Sequence, residues 1–211
     1  MLDAEPNDAT PFVPDRPTLT SLREAAAGCR GCHLWRHATQ TVFGEGRKSS
    51  RVMFVGEQPG DQEDRKGHPF VGPAGRELDR ALEAVGIDRR EVYVTNVVKH
   101  FKFEERGRRR MHQTPKRFEI DACRPWLDEE LRVVRPEALA ILGATAGKAL
   151  LGSKFRIREQ RGRPLETDLA PLVFATVHPS AILRARTDED RHAERRAFTA
   201  DLAALAQALP G

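Results

Sequence analysis

Val92-Tyr93-Val94-Thr95-Asn96-Val97-Val98-Lys99-His100 decides how this chain is read, together with the run after it, through Glu104-Glu105-Arg106-Gly107-Arg108-Arg109-Arg110-Met111-His112. The valine-rich part, Val92 to Val98, predicts a strand buried in a sheet. It leads into His100, a candidate metal ligand. A strongly basic loop follows and ends in a second histidine, His112.

Further strands and helices alternate on either side. Arg51 to Val55 is a short apolar β-rich run ending at Gly56-Glu57-Gln58-Pro59-Gly60. Leu78, Leu82 and Val85 repeat with helical period, and Gly86 closes that helix as a C-cap. Downstream, a helix over about Phe118 to Leu131 carries Cys123. A third strand at Ala138 to Leu142 precedes a helix at Ala144 to Leu151, and a fourth at Leu172 to Val177 ends at His178-Pro179-Ser180. Ala193, Ala197, Phe198, Leu202 and Leu205 line one face of a last helix. This alternation predicts a mostly parallel sheet covered by helices on both faces. Ligands in such sheets sit at the carboxyl ends of the strands. Glu57, Asn96 and His178 all fall at or near those ends, so one pocket can collect them.

At the N-terminal side, Pro6, Pro11, Pro14 and Pro17 punctuate a polar segment, so residues 1–17 read as a flexible tail and 18–211 as the domain. Ser21-Leu22-Arg23-Glu24 has the form of a capping box, with a helix from there to about Ala27. The chain has 211 residues, with 35 Lys+Arg against 31 Asp+Glu for a net charge of +4. That balance only leans toward a polyanionic partner. The clustering of Arg106, Arg108, Arg109, Arg110, Lys116 and Arg117 is more telling. No apolar run is long enough for a membrane, and the N-terminus lacks a signal core, so a cytoplasmic protein acting as a monomer is expected.

Cys29-x-x-Cys32 lies in a glycine-flanked knuckle, and Cys123 adds a third thiol. Three cysteines suit a metal site in a reducing compartment better than a disulfide scaffold. His100 is the natural fourth ligand, because it follows the strand near which the Cys123 helix should pack. Spacing alone leaves zinc and an iron–sulfur cluster both open. Elsewhere each candidate also has an ordinary explanation. Glu57 can be a solvated loop acid, Phe70 core, Asn96 a strand-end turn residue, His178 a cap and His112 an exposed loop histidine. Against those stand the glycines of Gly67-His68-Pro69-Phe70-Val71-Gly72-Pro73-Ala74-Gly75, which allow close approach beside a stacking ring. Asn96 can donate and accept in one plane, as a base edge requires.

Taken together, Gly56-Glu57-Gln58-Pro59-Gly60, Gly67-x-Pro69-Phe70-Val71-Gly72-x-Ala74-Gly75, Thr95-Asn96-Val97-Val98-Lys99 and His178-Pro179-Ser180 resemble the motifs of the family 4 iron–sulfur uracil-DNA glycosylases, in matching order over roughly residues 19 to 205. Two departures are similar to the UdgX branch: Gln58 where most family members have Ala, and Arg108-Arg109-Arg110-Met111-His112 where that branch has Lys-Arg-Arg-Ile-His. The resemblance implies a three-layer α/β/α sandwich with a central parallel four-stranded sheet. It implies a [4Fe–4S] cluster on Cys29, Cys32, His100 and Cys123, with His100 at the family's third cysteine. It implies uracil-containing DNA, preferably single-stranded, as partner. The base is extruded into a pocket, where Phe70 stacks on it, Asn96 reads its edge and His178 supports the departing uracil. Leu183 and Arg184 fill the vacated stack and hold phosphates, and Glu57 stabilises the sugar cation. Gln58, Asp61, Arg110 and Ser180 complete the expected substrate-binding set. In the UdgX branch the loop histidine captures C1′, which carries to His112 the role of nucleophile, its imidazole kept neutral beside Arg108, Arg109 and Arg110. Two other readings stand beside this one: a turning-over glycosylase whose arginine loop only binds backbone, and a non-catalytic iron–sulfur nucleic-acid-binding protein.

Overall fold

A computed structural model describes residues 7–209. Its centre is a parallel four-stranded sheet in the order β2-β1-β5-β6, built from β1 (Val52–Gly56), β2 (Val92–Asn96), β5 (Ala138–Leu142) and β6 (Leu172–Thr176). Between them lie α2 (Asp61–Lys66), α3 (Pro73–Ala84), the antiparallel hairpin β3 (Phe103–Arg106) and β4 (Arg109–His112), α4 (Arg117–Val134), α5 (Ala144–Leu151) and α6 (Ile157–Gln160). The helix α1 (Leu19–Ala26) precedes the sheet, and α7 (Ser180–Leu183) and α8 (Asp188–Ala208) follow it.

Strand alternation sorts the core into two layers. Met53 and Val55 of β1 pack with Leu22, Trp126, Leu139 and Ile141, on the side of α1, α4 and α5. Val52 and Phe54 pack with Leu78, Leu82, Phe198 and Leu202, on the side of α3 and α8. Both faces are therefore dry, which is why the strands read as apolar runs, and each fully buried large side chain contributes about 1.5–3 kcal/mol. The expected three-layer α/β/α sandwich is the fold. β1 pairs with β2 on one side and with β5 on the other, so the chain reverses direction across the sheet at β1. The crevice outside the strand ends at this reversal is where such sheets bind ligands.

Several local expectations change. The first helix begins earlier, at Leu19, because the capping box is Thr18 with Ser21: each hydroxyl accepts the other's backbone N–H, at 3.1 and 2.9 Å. Residues 1–6 of the expected tail lie outside the described residues. From residue 7 onward the tail is corrected to packed chain, since Ala9 is fully buried and its N–H bonds the Ala122 carbonyl of α4 at 2.8 Å. β2 ends at Asn96, and the N–H groups of Val97 and Val98 turn to the carbonyls of Gly56 and Glu57. The arginine-rich loop is a hairpin, closed by Gly107 and Arg108, with Gly107 at φ +61° as a two-residue turn prefers.

A candidate active site at the strand ends

The site converges on Gly56, the last residue of β1. A Cβ placed there would overlap Asn96 Oδ1 and come within 2.9 Å of Phe70 Cζ and 3.4 Å of His178 Nε2. Three residues from different parts of the chain thus surround one bare Cα. Asn96 is buried, and among the described residues its Oδ1 has no hydrogen-bond partner. A buried carbonyl oxygen left unpaired is costly and awaits a donor.

Phe70 sits at φ +57°, a strained value for a residue with a side chain. The surrounding loop holds it there. Glu63 of α2 accepts the Gly72 N–H at 2.7 Å, and Gly75 in the first turn of α3 lies so close to the Phe70 carbonyl that no Cβ would fit. The Phe70 ring stands 6.0 Å from the His178 ring, tilted by 31°.

His178 follows β6. Its Nδ1 accepts the Ser180 N–H at 3.2 Å, so the proton of the neutral ring lies on Nε2, the nitrogen facing Gly56. Ser180 Oγ lies 2.8 Å from the same Nδ1 and accepts from Arg184 Nη1 at 2.9 Å. Burial lowers the His178 pKa to about 4, outweighing the pull of Glu57. Leu183 is one of the few large apolar side chains left exposed among the described residues.

Glu57 borders this pocket. Its Oε1 is 3.1 Å from Nε2 of His112, a charge contact whose angle leaves Oε1 without a hydrogen-bond donor among the described residues. Burial pushes the Glu57 carboxyl up, but His112, the Thr145 hydroxyl and His178 together bring it below its ordinary value. His112 is itself half exposed on the hairpin.

The hairpin is fixed from below. Gln58 Oε1 accepts the Lys102 N–H at 3.0 Å, and its Nε2 donates to the carbonyls of Lys102 and Gln113, so one side chain clasps both legs. Arg110 turns inward with His112, two residues along the same strand. It bonds Asp61, the fully buried Asp64 and the Thr39 hydroxyl, and its guanidinium lies 4.9 Å from the Phe103 ring centre. Of the residues expected to touch substrate, Asp61 and Arg110 here hold each other and Gln58 holds the hairpin legs. The expected effect of three arginine charges on His112 is also redistributed: Arg110 is neutralised by two aspartates, and the charge that His112 contacts is Glu57. Arg108 and Arg109 remain exposed.

Cys29, Cys32 and Cys123 share the core layer of α1 and α4. Cys123 Sγ accepts the Lys99 N–H and Cys29 Sγ accepts the Trp126 indole N–H, each at 3.2 Å. Burial raises Cys32 and pushes Cys123 up to about 12, so only a bound cation would make the thiolate its stable form. His100, the residue after Lys99, is buried, and burial lowers it to about 4, which keeps the imidazole neutral as a ligand must be. Among the described residues no three His, Cys, Asp or Glu side chains converge on a single ion. The donor set is thiol-rich, two of its sulfurs accept hydrogen bonds from nitrogen donors, and its chemistry fits an iron–sulfur cluster.

The sequence reading missed Asp64, Thr145, Thr39 and Thr41. It also missed the buried pair of Lys99 and Glu130, both fully inaccessible. Lys99 Nζ donates to Thr95 Oγ1 and to the Asn96 carbonyl, and Glu130 accepts from Tyr93, Thr95 and the Gly44 N–H. A lysine inside a valine-rich run was the available signal.

Comparison with known proteins gives a consistent assignment. Residues 43–203 match the family described as the uracil DNA glycosylase superfamily. A type-4 uracil-DNA glycosylase of Sulfurisphaera tokodaii is 36% identical over 176 residues, 79% of this chain and 76% of that protein. One of Thermotoga maritima is 38% identical over 171 residues, covering 81% and 85%. One of Pyrobaculum aerophilum is 35% identical over 192 residues, covering 88% and 91%.

Proposed function

The chain belongs to the uracil DNA glycosylase superfamily, and on that premise we propose that it excises uracil from DNA and then joins its own His112 to the sugar it has uncovered. The relatives named type-4 uracil-DNA glycosylases support the excision. The contact between His112 and Glu57 at the rim of the Gly56 pocket carries the second half.

In this reading an extruded uracil lies against Phe70. Asn96 Oδ1 accepts the uracil N3–H and the amide donates to O4; cytosine, with an N4 donor, would meet a donor instead. His178 Nε2–H donates to the O2 carbonyl as negative charge develops there. The C1′–N1 bond breaks with its electron pair leaving on uracil. Nε2 of His112 bonds to C1′ while its proton passes to Glu57, so charge is conserved and the protein is consumed. Exposed Arg108, Arg109 and Arg184 hold flanking phosphates. Cys29, Cys32, His100 and Cys123 would hold a [4Fe–4S] cluster, which would supply a cross-link between the α1 end and α4.

A second reading has one observation in its favour. Among the described residues Glu57 Oε1 has no hydrogen-bond donor, so it can orient a water in place of the imidazole. The protein would then turn over.

Incubation with uracil-containing single-stranded DNA, followed by a denaturing gel, separates the readings. A heat-stable slow band that vanishes in His112→Gly, with uracil release retained, supports the crosslink. Abasic product with no band leaves the turning-over enzyme. Neither product leaves a binding protein only, and a band that persists in His112→Gly overturns the nucleophile.

A further inference from the structure

A chain of three hydrogen bonds behind the pocket joins two of the proposed cluster ligands. The Ala26 carbonyl, at the end of α1, accepts the Cys29 N–H at 3.0 Å. The same oxygen lies 2.9 Å from Thr41 Oγ1, and Thr41 Oγ1 lies 2.9 Å from His100 Nε2. A carbonyl can only accept and a hydroxyl has one proton, so the Thr41 proton goes to Ala26. The Thr41 oxygen is then the acceptor toward His100. It requires the proton on Nε2 and leaves Nδ1 bare.

We propose that Thr41 is a positioning residue that fixes the His100 tautomer, so that Nδ1 is the nitrogen presented to the cofactor, and that the Ala26 carbonyl locks this ligand to Cys29. The proposal rests on His100 being a cluster ligand, as read above. A partner on the far nitrogen of a ligating histidine sets both its tautomer and its ring plane. The Thr41 segment is held independently of its hydroxyl, because the Val42 N–H bonds the Lys99 carbonyl at 2.8 Å. Thr41→Val therefore removes the polar link without releasing the segment, and Thr41→Ser keeps it. Thr41 has no hydrogen bond to Glu57, Asn96, His112 or His178.

The test uses the protein as isolated with its own iron and sulfide. Histidine carrying ¹⁵N at either Nδ1 or Nε2 is incorporated, and electron–nuclear double resonance is recorded after one-electron reduction. The expected wild-type result is strong coupling to Nδ1. Thr41→Val is expected to lose its cluster to a chelator roughly 10- to 100-fold faster, with weakened or mixed nitrogen coupling. Thr41→Ser restores both, and circular dichroism shows all three proteins folded. Coupling to Nε2 in the wild type overturns the proposal while leaving His100 a ligand. So does a Thr41→Val protein that matches the wild type in coupling and release rate. A cluster with no nitrogen coupling at all overturns the ligand set, and the proposal with it.

Discussion

Gly56 shows how much one missing methyl group decides. Gly56→Ala would drive a Cβ into Asn96 and against the Phe70 ring, closing the pocket floor. A misplacement of about 1 Å can cost about 100-fold in rate, so uracil release by Gly56→Ala is expected to fall at least that far. Binding to single-stranded DNA, measured by fluorescence anisotropy, should stay near wild type; unchanged excision would refute the pocket. Gln58→Ala is predicted to separate the two halves of the chemistry. The clasp on Lys102 and Gln113 goes, the imidazole loses its fixed position, and crosslinking slows by roughly 10-fold or more relative to uracil release in single-turnover time courses. The pocket residues were legible because Glu57, Asn96 and His178 each stand where a strand ends. Asp64 was not legible. Its partner Arg110 is 46 positions away, and nothing local marks an aspartate in a polar helix as buried.

At the scale of elements, the hairpin was hidden by its own charge. Phe103 and Arg110 face inward on a strand pair otherwise exposed, so no apolar alternation announces it. The turn glycine was present, but the arginines suggested only a basic loop. Helix α4 and its packing near β2 were foreseen, yet the polar link between them was not. That link is the buried Lys99–Glu130 pair, whose lysine also holds the Asn96 carbonyl. Removing one partner of a buried pair strands the other charge, at a cost of about 3–5 kcal/mol. Lys99→Met should lose stability of that order in urea unfolding. The double replacement Lys99→Met with Glu130→Leu should recover much of it. A single variant as stable as wild type would show the pair to be dispensable.

Across the whole molecule the layered sandwich was readable, because strands dry on both faces write continuous apolar runs. The junctions between layers were not, being made of side chains distant in sequence. The same junctions set the response to acid. His178 sits at about 4 against an ordinary 6.5, so the unfolded chain binds its proton first, and stability falls as pH drops from 6.5 toward 4. Glu57 and Asp61 lie below their ordinary 4.5 and 3.8, so their contribution is present above those values and is lost as pH falls through the lowered ones. Both effects have the same sign. The melting temperature is predicted to decline steadily from pH 7 to pH 4, and a melting temperature that is flat or rises over that interval would contradict the buried neutral imidazole.

The legs of the β3–β4 hairpin meet at their base, where the Gln113 N–H reaches the Lys102 carbonyl at 3.0 Å, and neither strand belongs to the central sheet. The proposed nucleophile thus rides on an appendage outside the central sheet. A short glycine bridge from Lys102 to Gln113, combined with Asp64→Asn to relieve the buried carboxylate that Arg110 neutralises, should yield a shortened chain that still folds and still releases uracil, but no longer joins itself to DNA. By the same logic, the ten-residue cassette Phe103–His112 could be transplanted between scaffolds that offer a Gln and two Asp beneath it.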